Sequence, residues 1–164
     1  MINIEHYQME FLTGASALSK GNYQDAILHL EKALTLAKIS GLSTSDDTFD
    51  SGYFNLGQAK KAINKYKDAI NDFLKVVENN PTGYENAYLH IAECCFNINN
   101  YESMEIAIKS LNQCTKYFPN NQAAHMNKGI AYLNIGDKQN AKVSFNNAKQ
   151  LGNMDADNFI RDYC

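Results

Sequence analysis

Catalysis and metal binding need groups that converge, and in a sequence convergence shows first as spacing. The four histidines are His6, His29, His90 and His125. None stands at HxxxH or HExxH spacing, so no metal site is expected. The four cysteines, Cys94, Cys95, Cys114 and Cys164, include no CxxC pair and no regular spacing, which points to neither a zinc site nor a disulfide framework. Neighbours on a helix project about 100° apart, which disfavours a Cys94–Cys95 bridge. The first three cysteines read as small buried apolar residues and Cys164 as an exposed thiol. The stretch GASALSKG at residues 14–21 holds glycines and a lysine, but not in the order of a phosphate loop. There is no G-x-S-x-G, and Pro81 spoils Asn80-Pro81-Thr82 as a glycosylation acceptor. The acidic residues scatter over polar helix faces. The chain is therefore read as a non-enzyme with no catalytic residue, no metal and no cofactor.

The bulk properties narrow the remaining classes. The chain has 164 residues, 45% hydrophobic and 20% charged, with two prolines and ten tyrosines. That suits one folded domain; a globular chain near this size buries roughly 70% of its extended surface. The formal net charge is −3 and no basic stripe is visible, so no nucleic-acid partner is expected. The opening MINIEHYQMEFLTGASAL lacks a basic region followed by an unbroken apolar run and does not read as a signal peptide. No window approaches a membrane span. The expected location is cytoplasmic.

The elements that position all these side chains come from a repeated phrase. GNYQDAILHLEKAL starts at Gly21, NKYKDAINDFLKVV at Asn64, NNYESMEIAIKSL at Asn99 and GDKQNAKVSFNNAK at Gly136. Tyr23, Tyr66, Tyr101 and Lys138 lie 43, 35 and 37 residues apart, and a small residue nine positions earlier keeps the same intervals: Gly14, Gly57, Ala92 and Gly129. Ala26, Ala69 and Ala141 recur three after the first marker. Such a period with helical patterning marks stacked helix pairs. In the second repeat, Tyr53, Leu56, Gly57 and Lys60 share one face of a first helix. Ala69, Ile70, Phe73, Val76 and Val77 share a face of the second, with Asn64 and Lys65 as the turn between them. Small Gly57 and Ala69 let the two backbones approach. Pro81 ends the unit.

On these residues the chain resembles the tetratricopeptide-repeat family, whose pattern is W-x2-L-G-x2-Y, then A-x3-F, then P. The second repeat shows it as Tyr53, Leu56, Gly57, Ala69, Phe73 and Pro81, and the fourth as Gly129, Tyr132, Ala141 and Phe145. The first shows Gly14, Ala26 and Leu30, and the third Tyr88, Ile91, Ala92, Tyr101 and Pro119. The resemblance implies an all-α, right-handed superhelical solenoid of antiparallel helix pairs. It spans residues 1–164 as one domain, with repeats at about 7–40, 50–83, 85–121 and 122–155. Ala156, Phe159, Ile160 and Tyr163 give a last amphipathic helix over about 155–163, expected to cap the stack. Two departures stand out. Tyr101 to Pro119 is three residues longer than Tyr66 to Pro81, which predicts a longer second helix whose later face is turned by roughly 60°. Between the first two repeats, residues 40–49 add length as helix extension or loop, with Ser45 or Asp46 as candidate caps.

The family's concave surface is lined by the first helix of each repeat and receives peptides or helices of other proteins. Carried onto this chain, the resemblance implies a lining of Gln8, Phe11 and Ala15, with Leu12 and Leu18, in repeat one. Repeat two supplies Ser51, Phe54, Asn55 and Gln58, with Lys61. Repeat three supplies Asn86, Leu89, His90 and Glu93, with Asn97, and repeat four Met126, Asn127 and Asn134, with Ala123 and Ile130. The asparagines offer donors and acceptors to a peptide backbone. Phe11, Phe54, Leu89 and Met126 offer apolar anchors. A carboxylate clamp of the kind that grips chaperone tails is not implied. Its positions fall on Phe11, Ala15, Asn55, Asn86 and His90, and only Asn55 fits; without cations a terminal carboxylate has little to pair with. The expectation is an adaptor whose partner is a peptide or helical segment of another protein. The alternatives are a self-associating scaffold, that is a homo-oligomer, and a small secretion or assembly chaperone.

Overall fold

The computed structural model describes residues 4–41 and 47–164. These form nine α-helices and no strand: α1 (Ile4–Ser19), α2 (Tyr23–Ile39), α3 (Asp47–Ala62), α4 (Tyr66–Asn79), α5 (Glu85–Ile98), α6 (Tyr101–Tyr117), α7 (Gln122–Asn134), α8 (Lys138–Gln150) and α9 (Ala156–Tyr163). They group into two compact units, one running to Gly83 and the other Tyr84–Cys164. In the first, α1 pairs with α2 and α3 with α4, and α2 lies against α3. In the second, α5 pairs with α6 and α7 with α8, α6 lies against α7, and α9 packs on α8. The fold is the all-α solenoid type of helix pairs read from the repeat.

The repeated phrase has a local cause. Each hairpin turns through a residue of positive φ: Gly21 at 77°, Asn64 at 63°, Asn99 at 52° and Gly136 at 82°. Glycine adopts this conformation without a Cβ clash, and asparagine tolerates it better than most side chains. That is why every copy opens on G or N.

The hairpins close by a knob on a flat spot. A Cβ on Gly57 would stand 2.8 Å from the Phe73 ring, and one on Gly14 would stand 2.7 Å from Leu30; Gly129 faces Phe145 in the same way. Leu30, Phe73 and Phe145 are fully buried. The glycine therefore makes room for the partner's side chain, rather than for Ala69 and its backbone. A polar contact at the start of the first helix secures the other end of the hairpin. Asn79 donates to Asp50 (3.3 Å), Asn121 to Glu85 (2.5 Å), and Gln122 to the Leu151 carbonyl.

The third hairpin departs from this plan. Its first helix keeps register with α3 at an interval of 35, since Tyr53, Leu56 and Gly57 become Tyr88, Ile91 and Ala92, all buried. Its second helix follows α4 at 34. The buried Ala69, Ile70, Phe73, Val76 and Val77 become Ser103, Met104, Ala107, Ser110 and Leu111. The missing residue lies in the turn, two residues long before α6 against three before α4. Tyr101 is thus not the counterpart of Tyr66, and it is 64% exposed. Nor is the later face of α6 turned: α6 has 17 residues to the 14 of α4, but its buried stripe runs on unbroken to Cys114. The added residues lengthen the helix at its end instead of shifting its phase.

Residues between the first two repeats are partly taken up as helix. α2 has 17 residues, and α3 begins ten residues before Gly57, where α5 begins seven before Ala92. The candidate caps Ser45 and Asp46 lie outside the described residues. At the other end, Ala156 is buried and Phe159 and Ile160 pack with Met126, Ala141, Phe145 and Ala148, while Tyr163 is largely exposed. No helix of the described residues is long and apolar enough to cross a membrane.

Candidate protein interface

Within each unit the first helices lie side by side: α1 touches α3, and α5 touches α7. Relative to the small residue of each repeat, the candidate lining recurs six, three and two positions before it and one after. These positions share one helical stripe. In the first unit, Gln8 is exposed, and Phe11, Ala15, Ser51, Phe54, Asn55 and Gln58 are half-buried. Phe11 packs 6.3 Å from the Tyr7 ring and Phe54 lies edge-on to Phe73 at 5.8 Å, so each ring has one face held by the core. Such rings are anchored at low entropy cost and still offer apolar surface.

In the second unit, Asn86, Glu93 and Asn134 are exposed, and Leu89, His90 and Asn127 are half-buried. His90 Nδ1 is 3.1 Å from Glu93 Oε2, one turn on. The amides of Asn97 and Asn134, both exposed, donate to the Glu93 and Ile130 carbonyls of their own helices, at 2.8 and 3.0 Å. Met126 differs from its counterparts. It is 9% exposed and belongs to the α7–α9 core.

Two ionic groups lie where the repeat pattern has aromatic residues, and spacing alone does not mark them. Lys60, at the pattern's tyrosine position, is 2.8 Å from Asp72 on α4 and 3.2 Å from Glu31 on α2, and Lys75 sits 3.6 Å from Asp72. Burial opposes the charge on Lys60, but Asp72 and Glu31 outweigh it and hold the ammonium above the ordinary lysine value. Glu10, at the tryptophan position, is buried on α1 and pairs with Lys32 (2.5 Å) and His29 (2.6 Å) of α2. Lys32 and then His29 hold its carboxyl below the usual range. Both groups tie helices together. The sequence signal is a charge at an expected aromatic site; the partner on the next helix is not readable from it.

The described residues bring no three His, Cys, Asp or Glu side chains together as a metal site. Burial pushes the Cys95 and Cys114 thiols up to about 12, so both stay protonated and unreactive at neutral pH. On the candidate stripe the described residues offer half-exposed apolar side chains beside amides and the His90–Glu93 pair, groups that can bind a peptide chain.

Helix hairpins joined by short turns, closed by a glycine under a large apolar side chain and stacked through their second helices, define a helical-repeat protein. Two of these hairpins are similar to the tetratricopeptide repeat: the family model of that repeat matches residues 51–82 and 123–151. These are the hairpins with an intact glycine–phenylalanine pair. The first repeat, with Leu30, and the third, with Ala107, lie outside the match. Among curated proteins none matches the chain. Solved structures do. MamA is 21% identical with a TM-score of 0.73, over 92% of this chain and 81% of that one. MamA 41-end from Desulfovibrio magneticus RS-1 is 18% identical with a TM-score of 0.70, over 90% and 76%. BtubC (BKLC) from P. vanneervenii is 17% identical with a TM-score of 0.72, over 88% and 62%. At such identities the likeness concerns the fold.

Proposed function

We propose that this chain is a protein-interaction adaptor and not an enzyme. Its 164 residues act as one binding domain in the cytoplasm, and the stripes on the first helices of each unit, α1 with α3 and α5 with α7, receive a peptide or helix of a partner protein. The observation that carries this reading is the recurrence, three positions before the small residue, of Phe11, Phe54 and Leu89. Each is half-buried and stands beside Leu12, Asn55 or His90. Apolar anchors supply most of the affinity, and the neighbouring amides supply backbone hydrogen bonds. Asn55, Asn86 and Asn127 are the polar contacts, with Gln8, Ser51, Gln58, Glu93 and Asn134 at the rim. Met126 contributes through the shape of the core beneath.

The test is capture from native lysate by the intact chain and by a Phe54→Ala/Asn55→Ala/Asn86→Ala variant whose helicity is unchanged. The reading expects a protein captured by the first and lost with the second. It fails if every capture survives the three substitutions.

A second reading, self-association into a scaffold, is favoured by Met9 and Leu12, which are 56% and 66% exposed on α1. A mass that rises with concentration and falls back in Met9→Gln/Leu12→Gln supports it; a constant monomer mass excludes it.

A further inference from the structure

Away from the first-helix stripe, the second unit carries a cleft of about 530 Å³ along α6, bounded by the end of α7 and the turn after it. Its floor is Ile108, Tyr132 and Ile135, all half-buried, and its rim holds Lys109 and Lys116, both exposed, with Glu105 at one end. Elsewhere a lysine reaching across a seam between helices meets a carboxylate: Lys32 on Glu10, Lys60 on Asp72, Lys149 on Asp157. Among the described residues Lys109 and Lys116 make no ion pair; the Lys116 ammonium lies 5.4 Å from the Tyr117 ring centroid. At the same α6–α7 seam, Lys128 reaches only the Thr115 hydroxyl, at 3.4 Å, and burial holds its ammonium below the ordinary lysine value.

We propose that the α6–α7 cleft docks a segment of a partner protein carrying one large apolar side chain flanked by carboxylates. The apolar side chain covers Ile108, Tyr132 and Ile135, and the carboxylates pair with Lys109 and Lys116. An apolar floor between uncompensated cations selects this chemistry over a basic or wholly polar segment, since either would leave the lysines or the floor unmatched. The cleft depends on the irregularity of this repeat. Aligned by buried side chains, α4 ends at the counterpart of Gln113, so Lys116 stands on the extra turn that α4 lacks. The site is independent of the first-helix stripe.

The test uses short synthetic peptides with one Leu or Phe between acidic, uncharged or basic flanks, measured by fluorescence anisotropy against the intact chain. Acidic flanks are expected to bind roughly tenfold tighter than uncharged ones. That preference should vanish in Lys109→Glu/Lys116→Glu and weaken in Lys109→Ala/Lys116→Ala, with helicity unchanged in both. It should persist in Phe54→Ala/Asn55→Ala/Asn86→Ala. The proposal is overturned if no acidic peptide binds, if acidic and basic flanks bind alike, if the preference survives the lysine reversals, or if it is lost with the stripe variant. Concentration-dependent self-association that disappears with the lysine reversals would assign the cleft to a second copy and also overturn it.

Discussion

The second and third hairpins make the same shape by different means. In α3–α4 a ring fills the seam: Phe73 lies on Gly57, and Phe54 packs edge-on to that ring at 5.8 Å. In α5–α6 both partners are small, Ala92 and Ala107, and the seam is bridged by serine hydroxyls. Ser103 donates to the Cys95 carbonyl at 3.0 Å and Ser110 to the Tyr88 carbonyl at 3.4 Å. One seam gains its stability from apolar burial. The other brings a helix close enough for a side chain to hydrogen-bond the facing backbone, and Ser103 also forms the capping box with Asn100. The fold tolerates either solution provided volume and register agree.

The largest effect that would break this contrast is at Phe73. Phe73→Ala empties a fully buried ring site beside a glycine that cannot fill it, and should cost about 3–5 kcal/mol. At the counterpart position in α6, Ala107→Phe should instead overpack the seam and cost about 1–3 kcal/mol. Denaturant unfolding of each variant gives both numbers; equal responses to truncation and enlargement in the two hairpins would erase the distinction. Next comes the ionic seam. Asp72→Ala removes the buried carboxylate that is the closest partner of half-buried Lys60 and should cost about 1–3 kcal/mol, read in the same unfolding series. Ser103→Ala is expected to cost about 1 kcal/mol, with amide exchange rising first at the start of α6.

The smallest effect is acid sensitivity. The Glu10 carboxyl is held below its ordinary value of 4.5 when folded. Its contribution is therefore complete above that value and is lost as pH falls through the lower folded value. In Glu10→Gln the fall in stability over that acid range should be shallower than in the parent chain, as seen by thermal melts across pH. An identical slope would mean that Glu10 contributes nothing to acid sensitivity.

Much of the fold was legible because it depends on local chemistry. Asn64 with Lys65 announces a turn, which Gly21, Asn99 and Gly136 repeat, and Gly57 announces a close seam, read against Ala69 where the structure seats Phe73. At Tyr101 the spacing misleads, because a shortened turn moves register without altering composition. Only burial shows that Ser103 stands where Ala69 does. The three-residue excess before Pro119 was legible as length but not as phase, since a helix extended at its end keeps its buried stripe. For the interface, residue types were readable while their surroundings were not. Met126 looks like an anchor until Phe159 and Ile160 are seen packed in the same core. Lys109 and Lys116 look like solvated charges until the cleft beside them is known.

The most direct measurement of the central claim is hydrogen exchange on the chain with and without a partner captured from lysate, repeated with Phe54→Ala/Asn55→Ala/Asn86→Ala. The account predicts slowed exchange on α3 and α5, and on the first helices beside them, that is abolished by the three substitutions. Protection that survives those substitutions, or that never reaches the first helices, would contradict it.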